Sequence, residues 1–163
     1  MRVGIVGPEG LSDLSEMLVR GELWRLVTSH TTHDLVGISC LHEGPETWFA
    51  RSVLDHGGKL EVLLSASASR AGAFAASGRA AVRTLLNQAN AVHRLAPADS
   101  GGLGDDTCTA MVAMIDELIA VWDGVSPGPA ADLVAAARTA GLYVELVWPP
   151  GCEGPSAEAA ARG

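Results

Sequence analysis

Positive charge is scarce in this sequence. Its 163 residues include 11 lysines and arginines, only one of them a lysine, against 19 aspartates and glutamates, so the formal net charge is -8. Domains that bind nucleic acid normally carry a basic patch or stripe, whereas the few arginines here are scattered. We therefore expect no nucleic acid partner, although a few arginines beside a pocket can still hold a single phosphate.

Long apolar runs and metal-ligand patterns are also missing. No stretch approaches the roughly 18 unbroken apolar residues of a membrane span, and the first apolar run stops at Gly7 and Pro8, too early for a signal peptide. We expect no membrane partner. Cys40, Cys108 and Cys152 are odd in number and lack metal-binding spacing, which predicts reduced thiols in a cytoplasmic protein. The five histidines form no ligand pair, so we expect neither a metal nor a cofactor.

What the sequence does have is enough apolar material for one packed domain. Apolar residues make up 48% of the chain and charged residues only 18%, a balance that argues against disorder, and the length suits a single domain. We assign residues 1–150 to that domain. Residues 151–163, rich in Gly, Ala and Glu, are expected to form a disordered tail.

Short apolar runs alternate with helical patterns along the domain. Strands are predicted at residues 2–6, 34–40, 59–64, 91–95, 118–122 and 142–148. Helices are predicted at about 13–28, at Pro45–His56, after a long loop from Ser65 to Gly78, after a flexible loop at 97–105, and from Pro129. This alternation predicts an α/β fold, a single Rossmann-like doubly wound domain with a mainly parallel sheet of about six strands and helices on both faces.

In such sheets ligands bind beyond the carboxyl ends of the strands, so the turns that follow strands are the places to search. The first turn contains Gly7, Gly10 and Leu11. Glycines let a backbone approach a ligand, and the start of a helix offers free N–H groups to an anion. The sequence is neither a full G-x-G-x-x-G nor a P-loop, and an ordinary strand-to-helix turn explains it equally well.

The second turn runs from Ser39 to Glu46. Ser39 is placed to hydrogen-bond a ribose or a base edge, and Glu43, next to Gly44, to accept from ribose hydroxyls. The alternative is that Gly44 and Pro45 only begin a helix, with Glu46 complementing the helix dipole.

The third turn follows the most apolar strand and leads into a helix. The N–H groups of Ala130 and Ala131 at the helix start are ready for a phosphate, although Pro129 removes one donor. Asp132, in the first helical turn, is open to a plain dipole-complementing role. The candidate ligand-binding or catalytic residues of this turn are Asp123, Gly124, Gly128, Ala130, Ala131 and Asp132.

These turns, taken in order, resemble the SLOG superfamily, which includes the Lonely guy phosphoribohydrolases and the Rossmann domain of DNA-processing protein A. The resemblance spans about residues 1–149 and rests on Gly7-x-x-Gly10-Leu11, the run Leu35 to Leu41 with Glu43-Gly44, the helix containing Phe49-Ala50, and the run Leu118 to Gly124. It implies a Rossmann-like fold that binds or processes nucleotides. The phosphate is then expected near Gly128–Asp132, and the base and sugar between the turns Gly7–Leu11 and Ser39–Gly44.

The catalytic residues of the Lonely guy enzymes do not carry over. Those enzymes use an Arg together with the Glu of a Pro-Gly-Gly-x-Gly-Thr-x-x-Glu motif on the N-glycosidic bond. Aligned through Asp116, the Arg position falls near Thr107 and the Glu position at Leu133. Asp132 lies one residue earlier, about 100° around the helix.

Three functions remain open at this point. The leading hypothesis is a sensor or accessory protein that binds a nucleotide-type small molecule with the Lonely guy catalytic residues lost. The second is a nucleoside 5'-monophosphate N-glycosidase that uses Asp132 or Asp123, and the third is an interaction module with a vestigial pocket. By analogy with the SLOG proteins we also expect a homo-oligomer.

Overall fold

A computed structural model describes residues 1–64, 76–95 and 105–154 of the chain. Six strands form one parallel sheet in the order β4-β3-β2-β1-β5-β6. The strands are β1 (Arg2–Val6), β2 (Val36–Ser39), β3 (Lys59–Leu64), β4 (Ala91–Arg94), β5 (Glu117–Val121) and β6 (Tyr143–Val147). The helices are α1 (Asp13–Thr28), α2 (Pro45–His56), α3 (Ala76–Gln88), α4 (Asp105–Met114) and α5 (Pro129–Thr139). The predicted α/β Rossmann-like fold is confirmed.

Helices cover both faces of the sheet because the strands are apolar on both sides. On one face, Val3 and Ile5 of β1 pack with Val19 of α1 and Phe49 of α2, and α3 extends this layer over β3. On the other face, Val6 packs with Met111 of α4 and Leu133 of α5. Successive residues of β1 thus serve opposite layers, as the pleat of a strand requires.

The segments around α3 and α4 differ in part from the prediction. Helix α3 begins at Ala76, inside the loop expected at Ser65–Gly78, and α4 begins at Asp105, the last residue of the loop expected at 97–105. The rest of those two predicted loops lies outside the described residues.

The first residues of the expected tail contact the domain. The Glu153 N–H donates to Ser15 Oγ at 2.8 Å, and Ser15 is fully buried in α1. Residues 155–163 lie outside the described part of the chain, so the expected disorder there stays a prediction. No helix within the described ranges is long and apolar enough to cross a membrane.

The strand order fixes where a ligand site belongs. The chain builds β1 to β4 outward in one direction and then places β5 on the other side of β1. The loops that leave β1 and β5 therefore diverge to opposite faces, which opens a crevice at the carboxyl end of the sheet, the usual ligand position in doubly wound folds.

Candidate functional site

A cavity of about 620 Å³ occupies this crevice. Its floor is the carboxyl end of β1 and β5, and its sides come from the loops after β1, β2 and β5 and from α4 and α5. A volume of this size is in the range of small-molecule sites, which span roughly 300–1,000 Å³.

Most of the cavity wall is apolar. Ile5 and Val121 form the floor, and Met111 and Leu133 line the side formed by α4 and α5. The two partly buried tryptophans Trp122 and Trp148 also line it. This wall suits a flat, largely apolar ring.

One hydrogen-bonded His–Glu pair faces this apolar space. Glu46 lies in the first turn of α2 and is 4% exposed. One of its oxygens lies 2.6 Å from Nδ1 of His42, whose side chain is 56% exposed. Both residues line the cavity, as does Glu9 from the loop after β1.

The protonation of this pair follows from its surroundings. The hydrogen bond to Glu46 is the main cause that raises the pKa of His42, and the charge of Glu9 adds to it. Burial raises the pKa of Glu46, more than the hydrogen bond with His42 lowers it. Both groups thus retain their proton to higher pH than usual, and the pair holds a proton between Nδ1 and the carboxylate.

The loop between β2 and α2 is tightly built around this pair. Ser39 is fully buried, and its hydroxyl accepts from the Leu41 N–H and donates to the Glu46 carbonyl, both at 3.0 Å. Leu41 has a φ of +58°, which is uncommon for a residue with a side chain and tends to occur at functional sites. Gly44 has a φ of +105°, and a Cβ there would lie 3.0 Å from the Pro8 carbonyl oxygen. The loops after β1 and β2 are therefore in close contact beside the cavity.

The opposite side of the cavity contains the start of α5. Gly128 caps the helix, and the first helical hydrogen bond runs from the Asp132 N–H to the Gly128 carbonyl. The N–H groups of Ala130 and Ala131 therefore have no partner within the helix, and both residues line the cavity.

Asp123 lines the cavity, but its carboxylate is hydrogen-bonded to groups of its own turn. Its carboxylate accepts from the N–H groups of Val125 and Ser126, at 2.9 and 2.8 Å, and from the Ser126 hydroxyl. These bonds lower the pKa of Asp123, the Ser126 hydroxyl most of all. A carboxylate held this way shapes the turn and is a poor proton acceptor.

The structure brings together only some of the residues predicted from sequence. The cavity is lined by Gly7, Asp123, Gly128, Ala130 and Ala131. Asp132 is exposed and is not among the lining residues, since the neighbouring Leu133 takes the inward position. The other predicted residues outside the lining are Gly10, Leu11, Ser39, Glu43, Gly44 and Gly124.

The His42–Glu46 pair that faces the cavity was not predicted from the sequence. It assigned the second turn to Ser39 and Glu43, whereas Glu43 is exposed and away from the lining. The available signal was the spacing of His42, Gly44-Pro45 and Glu46. A Gly-Pro helix start puts Glu46 in the first turn, where its side chain leans back toward the preceding loop.

The thiols do not suggest metal or nucleophile chemistry. Burial raises the pKa of Cys40 strongly, so it is a neutral thiol beside the cavity. Among the described residues no group of three or more His, Cys, Asp or Glu is arranged to hold a metal ion.

Comparisons with known proteins find similarity in structure and none in sequence. No family model and no curated protein matches the sequence. DNA processing protein A from Streptococcus pneumoniae superposes on 99% of this chain with a TM-score of 0.64 at 16% identity. The Helicobacter pylori protein of the same name covers 99% of this chain and 72% of its own length, with a TM-score of 0.66 at 11% identity. The chain spans about half, 55%, of the pneumococcal protein.

A third similar structure is the Moco carrier protein from Chlamydomonas reinhardtii, with a TM-score of 0.53 at 16% identity, covering 99% of this chain and 80% of the carrier. These likenesses confirm the fold implied by the SLOG resemblance. They also correct one expectation: nucleic acid was ruled out as a partner on charge alone, yet the Helicobacter pylori neighbour binds single-stranded DNA. A scarcity of basic residues is therefore too weak a criterion to exclude nucleic acid for this fold.

Proposed function

We propose that this protein binds a nucleotide-type small molecule in the cavity at the carboxyl end of the sheet, as a sensor or accessory protein. The observation that carries the proposal is the cavity itself, which lies where the strand order reverses. Its volume of about 620 Å³ is sufficient for a base and a sugar.

The chemistry of the wall fits the parts of such a ligand. The apolar surface around Met111, Leu133 and Trp148 suits a heteroaromatic ring. The free N–H groups of Ala130 and Ala131 suit an anionic group at the other end, since a helix start carries a partial positive charge.

The same wall argues against the reaction of the Lonely guy enzymes. Thr107 and Leu133, which occupy the positions aligned with the catalytic Arg and Glu, both line the cavity. A hydroxyl and an alkyl group replace the two charged groups there. Asp132 is outside the lining and Asp123 is held by its turn, so neither favours the glycosidase alternative.

Single-stranded DNA belongs in the same test, since the Helicobacter pylori neighbour binds it. A single-stranded DNA molecule with one base in the cavity would contact the same apolar wall as a mononucleotide. The cytoplasmic location and the homo-oligomer expected from the sequence stay predictions.

The test is a thermal-shift panel followed by calorimetry on every hit. The panel contains nucleosides, nucleoside mono-, di- and triphosphates, dinucleotides and a short oligothymidine, and each hit is assayed for released base. Binding without release supports the proposal, and release at an ordinary enzymatic rate contradicts the sensor role.

A variant pair makes the location of the site testable. Ala130→Glu puts a carboxylate at the start of α5, where it suits the helix dipole but meets the ligand's anionic group. We expect about tenfold weaker binding or more. Ala135→Glu, on an exposed position of the same helix, should bind as the unaltered protein does. Equal affinity in both variants would contradict a ligand in this cavity.

A further inference from the structure

The ligand contacts proposed above do not involve the His42–Glu46 pair, yet the loop around this pair is tightly built. Glu46 is 4% exposed in a largely apolar cavity, and a buried carboxylate disfavours folding unless it is paired. The buried Ser39 hydroxyl and the left-handed Leu41 hold the loop that brings His42 to Glu46. An arrangement of this kind beside a cavity points to a functional group.

The geometry leaves one ring nitrogen for a ligand. Nδ1 is engaged with Glu46 at 2.6 Å, and Nε2 has no hydrogen-bond partner within the described ranges. The ring lines the cavity and is half-exposed. A ligand in the cavity can therefore reach Nε2 without displacing Glu46.

The shared proton determines what Nε2 offers. If the proton lies on Nδ1, the ring is an imidazolium and Nε2 carries hydrogen; if it lies on Glu46, the ring is neutral with its hydrogen on Nε2. Nε2–H is a donor in both cases. It becomes an acceptor only when the pair loses a proton as the pH rises.

We propose that Nε2–H of His42 is the donor that binds a hydrogen-bond acceptor of the ligand, and that Glu46 is its positioning residue. The inference rests on the proposed function and adds the ligand's chemistry: its acceptor is a ring nitrogen, a carbonyl oxygen or a phosphate oxygen. Binding is strongest while the pair holds its proton and weakens at higher pH.

Other ionisable groups near the ring enter the pH dependence. Glu9, on the loop after β1, acts on both members of the pair. Cys40, whose pKa is raised mainly by burial and further by the charge of Glu46, stays a neutral thiol. Cys108 of α4 and Asp123 line the same cavity. Of these groups, the His42–Glu46 pair is the one whose proton decides whether Nε2 donates.

Two substitutions of His42 separate the roles of its two ring nitrogens. Asn places a donor where Nδ1 lies, so His42→Asn keeps a partner for Glu46 and removes the Nε2 donor. His42→Gln is longer and restores a donor near Nε2. His33→Asn, at an exposed histidine of the α1–β2 loop, is the matched control, and thermal unfolding of each free variant checks that it is folded.

The experiment is calorimetry of AMP and adenosine with each variant, from about pH 6 to about pH 9, a range that starts near the ordinary histidine pKa of about 6.5 and extends above it. We expect His42→Asn to bind about tenfold more weakly or worse below neutral pH, as for a lost hydrogen bond to a charged group. Its affinity for adenosine, which has no group that titrates in this range, should be flat with pH, His42→Gln should recover part of the loss, and His33→Asn should match the unaltered protein.

A comparison of AMP with adenosine shows which part of the ligand carries the acceptor. If His42→Asn weakens only AMP, the acceptor is the phosphate; if it weakens both, the acceptor is on the base or sugar. Unchanged affinity and an unchanged pH profile in His42→Asn would overturn the inference while leaving the proposed function intact. If the unaltered protein binds no member of the nucleotide panel, the proposed function fails, and this inference fails with it.

Discussion

At the scale of single residues, the buried Ser39 hydroxyl holds the loop of the candidate site. Ser39→Ala leaves the Leu41 N–H without a partner in the core, and an unpaired buried donor costs about 1–3 kcal/mol. We expect the free energy of unfolding, measured with urea, to fall by about that amount.

The matched control is Ser29→Ala, because the Ser29 hydroxyl donates to the Leu26 carbonyl at an exposed helix end. Its effect should stay within about 0.5 kcal/mol. Equal losses in the two variants would show that Ser39 acts only as a generic polar residue.

The turns that line the cavity were predicted from the sequence more accurately than the side chains that line it. Gly7, Gly128 and Ala130 follow from strand ends and helix starts, which are local features, and they do line the cavity. The sequence pattern pointed to Glu43, whereas Glu46 is the residue that pairs with His42. Which glutamate reaches His42 depends on the direction in which α2 leaves its loop. That direction is set by Leu41 and by the contact of Gly44 with Pro8, and neither is visible in a local pattern.

At the scale of elements, a buried glycine and an exposed glycine predict opposite effects. Gly37 of β2 lies under α2, where a Cβ would come within 2.8 Å of Val53 Cγ2 and 3.0 Å of Phe49 Cε1. Gly37→Ala should therefore destabilise the protein by about 1–3 kcal/mol, as overpacking of a core does.

Gly21 is the contrasting position. It is exposed within α1, and a Cβ there meets nothing within 4 Å, so Gly21→Ala should stabilise the protein by about 0.5–1 kcal/mol through better helix propensity. Both values come from the same urea titration. A Gly37→Ala variant as stable as Gly21→Ala would contradict the close packing of α2 on β2.

Elements with strong local signals were predicted with the right bounds. Helix α1 and helix α2 begin and end as expected, because a Ser12 cap precedes one and a Gly-Pro start and Gly57 bound the other. Helix α3 was expected too late in the chain, since Ala76 to Gly78 have small side chains that carry no apolar period. Apolar periodicity indicates a helix only where the side chains are large enough to distinguish its buried face from its exposed face.

At the scale of the whole molecule, one polar network links side chains of three strands, β1, β3 and β4. Arg2 of β1 reaches across β2 to the Glu61 carboxylate of β3, with bonds of 2.8 and 3.1 Å. His93 Nε2 of β4 lies 2.7 Å from the same carboxylate. Three strands of the sheet thus meet at Glu61, whose side chain is only 15% exposed.

This network predicts how stability depends on pH. The hydrogen bonds from Arg2 are the main cause that lowers the pKa of Glu61, opposed by burial. A carboxyl with a lower pKa in the folded state stabilises that state above its unfolded pKa, near 4.3 for Glu, and this contribution disappears as the pH falls through the folded pKa. Glu61→Gln should therefore be less stable than the unaltered protein at neutral pH, and the difference should shrink as the pH falls below about 4.

Urea unfolding at a series of pH values measures that difference directly, with Glu43→Gln as the control for removing an exposed carboxylate. The control should track the unaltered protein across the series. Because glutamine has nearly the shape of glutamate but only one acceptor oxygen, the lost stability reports the charge of Glu61 together with one of the hydrogen bonds from Arg2, rather than packing. A difference that stays constant down to acidic pH would mean that the Glu61 charge does not stabilise the sheet, and that backbone pairing and the apolar layers hold β1, β3 and β4 without it.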